Sequence, residues 1–87
     1  MKADEIKFFR TCYKHCSRQL NGAFHNGKYH FRDIINICCE FINYKRCWYL
    51  LKKWERMGMY NYGTTLDLGW FTGVYSQRYY DLIKGDK

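Results

Sequence analysis

The chain has 87 residues, 47% hydrophobic and 26% charged, the balance of a folded globule, which excludes a disordered segment. That length suits a single domain over residues 1–87 with one core. A formal net charge of +7 excludes an acidic nucleic-acid mimic and favours polyanionic partners.

No apolar run approaches the ~18 residues of a membrane span, and the opening "MKADEIKFF" turns acidic where a signal peptide would turn apolar. The expectation is a cytoplasmic protein with no membrane partner. Five cysteines fit a reducing compartment, since an odd number cannot pair fully within one chain. Abundant Lys, Asn, Tyr, Ile and Phe with no Pro are the bias of an AT-rich genome, such as that of a virus, phage or mobile element.

In chain order, "ADEIKFFRTCYKHCSRQLNG" predicts an amphipathic helix. Ile6, Phe9, Tyr13, Cys16 and Leu20 form its apolar stripe, and Asn21-Gly22 stops it. Asp4 and Glu5 in its first turn suit the helix dipole, while Lys7, Arg10, Lys14 and Arg18 take the other side. Residues 21–31 carry two Asn-Gly steps and predict a loop with a short extended piece around 29–31. A second helix starts near Arg32 or Asp33 and carries Ile34, Ile35, Ile37 and Cys38. "CEFIN" then makes a tight turn into a third helix capped by Asn43. Met57-Gly58 ends that helix. Aromatic and β-branched residues around "GTTLD" predict a β-hairpin with strands near 59–62 and 68–72. A short last helix follows, with Tyr75, Tyr79, Leu82 and Ile83 turned inward. The class is therefore α+β, mostly helical.

The third helix, "YKRCWYLLKKWER", carries the functional signal. At about 100° per residue, Tyr44, Cys47, Trp48 and Trp54 lie within roughly 60° of Leu51 and make an apolar face. Lys45, Arg46, Tyr49, Lys52, Lys53 and Arg56 fall in an opposite arc about 120° wide that holds no acid. A face that needs only solvation normally mixes signs, because Glu–Lys pairs help a helix and like charges four apart cost it a few tenths of a kcal/mol. Retained repulsion points to neutralisation by phosphate.

"FINYKRCWYLLKKWERMG" resembles the turn, recognition helix and stop of a winged helix-turn-helix domain. The match has Ile42 in the turn, Asn43 as cap, Cys47, Leu51 and Trp54 inward, and Gly58 before the wing. "YGTTLDLGWFT" is similar to the wing of small prokaryotic and phage members, and the likeness covers roughly residues 32–83. It implies three helices, a β-hairpin wing and a short C-terminal helix, with the third helix in the DNA major groove. Lys45, Arg46 and Tyr49 would approach base edges, Arg46 being suited to bidentate guanine reading, while Lys52, Lys53 and Arg56 sit nearer phosphate. Asn61, Thr64 and Thr65 of the wing would donate to phosphate. One departure stands out: the hairpin tip holds no Lys or Arg but does hold Asp67.

Other groupings have plainer readings. Cys12, His15 and Cys16, with Cys38, Cys39, Cys47, His25 and His30, match no zinc spacing, and free cysteine on an apolar stripe behaves as a small hydrophobe. No nucleophile, paired-carboxylate or phosphate-loop motif is framed, so neither an enzyme nor a cofactor or metal is expected. Trp54 and Trp70 read as core, with Trp48 at its edge. Tyr60, Tyr62, Tyr79 and Tyr80 form a candidate aromatic patch for a protein partner or a second copy. The expected function is double-stranded DNA binding in transcription regulation or as a viral or mobile-element accessory factor, with a homodimer or a protein partner as further expected associations. The alternative is a winged-helix protein-interaction module, binding a host factor or nucleoprotein without DNA readout.

Overall fold

The computed structural model describes residues 2–20 and 22–84, and the order of elements is α1 (Ala3–His15), β1 (Arg18–Leu20), β2 (Ala23–His25), α2 (Phe31–Cys38), α3 (Tyr44–Arg56), β3 (Tyr60–Tyr62), β4 (Gly69–Thr72) and α4 (Gly73–Lys84). One four-stranded sheet runs β2-β1-β4-β3. β1–β2 and β3–β4 are antiparallel hairpins, and β1 joins β4 in parallel, with Arg18 opposite Phe71 and Gln19 opposite Thr72. The α+β class, the second and third helices, the later hairpin and the presence of a closing helix are as the sequence predicts. Of the four α4 residues expected inward, however, only Tyr79 and Ile83 pack on the core, while Tyr75 and Leu82 are exposed.

α1 is shorter than its pattern. The stripe through Leu20 predicts five more helical residues, yet Cys16 is already extended and residues 18–20 are a strand. The cause is a returning loop. A Cβ on Gly27 would lie 2.2 Å from the Cys16 carbonyl carbon, so only glycine lets the chain pass that close. Tyr29 N–H then donates to the His15 carbonyl (3.0 Å) and Gly27 N–H to Ser17 Oγ (2.9 Å), holding the end of α1 open. The extended piece expected at 29–31 is not a strand; Phe31 opens α2.

α2 begins where His30 N–H donates to Asp33 Oδ2 (3.0 Å), half of a capping box. Ile42 is buried in the α2–α3 turn, and Asn43 Oδ1 caps α3 by accepting from the N–H of Lys45 (2.7 Å) and, more weakly, of Arg46 (3.4 Å). Gly58, at φ 78°, ends α3.

The core is aromatic at its centre. Phe71 of β4 meets Phe9 and Tyr13 of α1, Phe31 of α2, Trp54 of α3 and Tyr60 of β3, with ring centroids 4.9–6.1 Å apart. Cys12, Cys16, Cys38 and Cys47 fill space around it as free thiols. Trp70 departs from the expected core position: it lies half-buried on the sheet's other side, edge-on to exposed Phe24. Period-two alternation explains this, because neighbouring Phe71 takes the inward place.

Candidate nucleic-acid interface

Packing splits the predicted basic arc of α3 into two rows. Cys47, Leu50, Leu51 and Trp54 are the buried residues of the helix. They centre its inward face about 50° from Leu51, on the side of Leu50. Tyr44, expected inward, is consequently exposed, and Trp48 sits at the edge against its ring. Directly opposite the buried face lie Lys45, Tyr49, Lys52 and Arg56, all four exposed and within about 60° of one another. This outer row runs about 16 Å along the helix. Glu55, the helix's one acid, lies about 90° round from its centre.

Arg46 and Lys53 belong to the second row, which the rotation brings against α1. Arg46 Nε donates to Asp4 Oδ2 at 3.2 Å, and its guanidinium carbon also lies 5.5 Å from the Tyr49 ring. The hydrogen bond from that guanidinium holds the Asp4 carboxyl below its usual range. Lys53 Nζ reaches both Glu5 oxygens at 2.9 and 3.0 Å, and Trp54 Nε1 donates to Glu5 Oε2 at 3.0 Å. Glu5 is 1% exposed, so Lys53 is the counter-charge of a buried carboxylate before it is anything else. Asp4 and Glu5 suit the helix dipole by position, but their larger role is to dock α1 onto α3. Sequence reading missed this because the partners lie more than forty residues apart.

At the hairpin, Asn61, Thr64 and Thr65 are exposed, with Gly63 between them. Asp67 is buried, and the Thr65 side chain hydrogen-bonds to its carboxylate. Its carboxylate accepts from Arg32 Nε (2.8 Å), and its carbonyl accepts from Arg32 N–H (3.0 Å). The Arg32 hydrogen bond lowers the Asp67 carboxyl's pKa. The Tyr60 hydroxyl donates to the Leu66 carbonyl and accepts from Gly69 N–H (3.0 Å), and burial pushes its pKa well up. Residues 66–69 are thereby folded back onto the body, and Asp67 is withdrawn from the tip. Arg32, outside the predicted set, brings a half-exposed guanidinium to the β3–β4 loop.

The tyrosine patch expected from the sequence is not assembled. Tyr60 is buried, Tyr62, Tyr79 and Tyr80 are half-buried, and the exposed aromatic of this region is Tyr75. Among the described residues no three His, Cys, Asp or Glu side chains converge as a metal site requires. Burial raises the thiol of Cys47 to about 11 and also that of Cys38. No described helix is long and apolar enough to cross a membrane.

Comparison with known proteins returns no matching family model, no matching curated protein and no matching solved structure. Function is therefore argued from this chain's own residues.

Proposed function

We propose that the chain is a winged-helix-type domain that binds double-stranded DNA through the outer row of α3, in transcription regulation or as an accessory factor of a virus or mobile element. One observation carries the reading: Lys45, Tyr49, Lys52 and Arg56 stand together in solvent with no acid among them, while the two acids nearest this helix on α1 are already matched by Arg46 and Lys53. A row about 16 Å long on a helix suits a major groove about 12 Å wide. Lys45 and Tyr49, in the N-terminal half, take the base-edge positions, and Lys52 and Arg56 take phosphates. Arg46 and Lys53 contribute by fixing the helix against α1, so the guanine-reading role passes from Arg46 to the outer row. Asn61 and Thr64 offer donors to the backbone beside it, and Thr65 can add its own by leaving Asp67.

The test is duplex titration at several salt concentrations, comparing the native chain with Lys45→Ala/Lys52→Ala/Arg56→Ala. These side chains are exposed, so the variant retains its fold by circular dichroism. Native binding in the micromolar range or tighter is expected. The slope of log K against log salt should flatten by about 2 in the variant, near one for each of the phosphates left by Lys52 and Arg56. Undetectable or salt-insensitive native binding, or an unchanged slope in the variant, overturns the proposal.

A further inference from the structure

The helices pack on one face of the sheet, where Phe71 and Tyr60 take ring contacts from α1, α2 and α3. Strand register sends other side chains to the opposite face. Phe24, Gln19 and Thr72 make one row across β2, β1 and β4, and Trp70 and Asn61 make the next across β4 and β3. Phe24 is 50% exposed, and Gln19 and Asn61 are exposed beside the half-buried Trp70. The Phe24 and Trp70 rings meet edge-on, centroids 6.1 Å and planes 72° apart. An edge-on contact covers at most one face of one ring, so stacking surface remains on both. These five side chains are two rings, two amides and a hydroxyl, without an aliphatic or a charged group among them. Rings offer a stacking platform, and amides offer a donor and an acceptor each, the two requirements of an unpaired nucleobase.

Charge selects the same ligand. Residues 6–32 hold six Lys or Arg and no Asp or Glu, and no acid falls on any of the four strands. Ser17 ties the loop after β2 to the sheet, its carbonyl accepting from Phe71 N–H (3.0 Å) and its Oγ from Gly27 N–H (2.9 Å). Lys28 follows Gly27 directly and is exposed. The acids flanking the strands are engaged elsewhere. Asp67 is buried against Arg32 of α2 (2.8 Å), and Asp33 accepts from His30 N–H (3.0 Å). Glu55 and Asp81 stand on α3 and α4, whose rings pack toward Phe71, Phe9 and Tyr13 on the helical side. We infer that the open face binds single-stranded DNA: bases stack on Phe24 and Trp70, Gln19 and Asn61 meet base edges, and Lys28 takes a phosphate. A duplex hides the faces of its bases, so α3 and this face take different forms of the polymer. The choice of DNA over RNA rests on the α3 reading; the stacking surface does not.

The test titrates three fluorescently labelled dodecamers into the full chain: deoxyuridine, its ribose counterpart, and an abasic deoxyribose strand of equal length. Deoxyuridine should bind about tenfold or more tightly than the abasic strand, which presents phosphates without rings. Phe24→Ala changes an exposed residue, so the variant keeps the native circular dichroism. It should lower deoxyuridine affinity about fivefold or more and leave the abasic strand unaffected. Lys28→Ala should flatten the salt slope by about 0.7 for both deoxyribose strands. Lys45→Ala/Lys52→Ala/Arg56→Ala should keep the deoxyuridine-to-abasic ratio whatever it does to duplex binding, which separates a failure here from a failure of the α3 reading. The inference is overturned by equal affinity for deoxyuridine and abasic strands, by a ratio indifferent to Phe24→Ala or lost in the α3 variant, or by an unchanged slope in Lys28→Ala. Tighter binding of the ribose strand, or dimerisation in sedimentation that Phe24→Ala abolishes, also overturns it.

Discussion

Replacing Lys53 by Met keeps the aliphatic stem and removes the charge that faces Glu5. The Glu5 carboxylate, 1% exposed, would keep the hydrogen bond from Trp54 Nε1 at 3.0 Å but lose its counter-charge. Orphaning one partner of a buried ion pair costs about 3–5 kcal/mol. A domain of this size has only about 4–13 kcal/mol in total. The thermal midpoint should therefore fall by about 12–40 °C. The converse variant, Glu5→Gln, leaves the Lys53 ammonium, a third exposed, free to turn to water and keeps an acceptor for Trp54, so its cost is about 1 kcal/mol. Urea unfolding followed by tryptophan fluorescence at neutral pH reads this directly. A Lys53→Met loss under about 1 kcal/mol, or one no larger than that of Glu5→Gln, would refute a buried Glu5 charge compensated by Lys53.

Other outcomes follow from the same packing. Gly27→Ala drives a Cβ into the Cys16 and Ser17 backbone at 2.2–2.5 Å and should cost about 1–3 kcal/mol or more, whereas Gly63→Ala meets nothing within 4 Å and should be near neutral by urea titration. Arg32→Met should destabilise the chain above the unfolded Asp67 pKa. Because that carboxyl is depressed in the folded chain, the deficit against native should close as pH falls through the folded value, measured by unfolding at paired pH values. A chromogenic disulfide reagent should modify exposed Cys39 first in the folded chain and the four buried thiols only on unfolding, read as fast and slow absorbance phases.

What sequence made legible was governed by local chemistry. Asn43 and Gly58 bracket α3 as a cap and a left-handed stop, and Gly-Thr-Thr between β-rich runs marks the β3–β4 hairpin. What it concealed depends on remote partners. β1 and β2 are only three residues each and gain their place through β4, fifty residues downstream, so the apolar period of α1 ran on through Leu20 unopposed. The α3 wheel placed Cys47, Leu51 and Trp54 inward, as observed, but put exposed Tyr44 with them and left Leu50 out. Its inward axis was set about 50° off because Leu50 packs as deeply as Leu51. That rotation decides which cations face solvent: Lys45, Lys52 and Arg56 do, while Arg46 and Lys53 answer Asp4 and Glu5. Asp67, an apparent objection at the hairpin tip, is held by Arg32, a partner on another element.

DNA binding by the outer face of α3 is tested most directly by mapping backbone amide shifts of the isotope-labelled chain as duplex DNA is added. The largest changes are expected along Lys45, Tyr49, Lys52 and Arg56, with smaller ones at Asn61, Thr64 and Thr65, and little at Tyr75 and Leu82. Shifts centred on α4 or on the Phe24–Trp70 side of the sheet, with α3 unmoved, would contradict it.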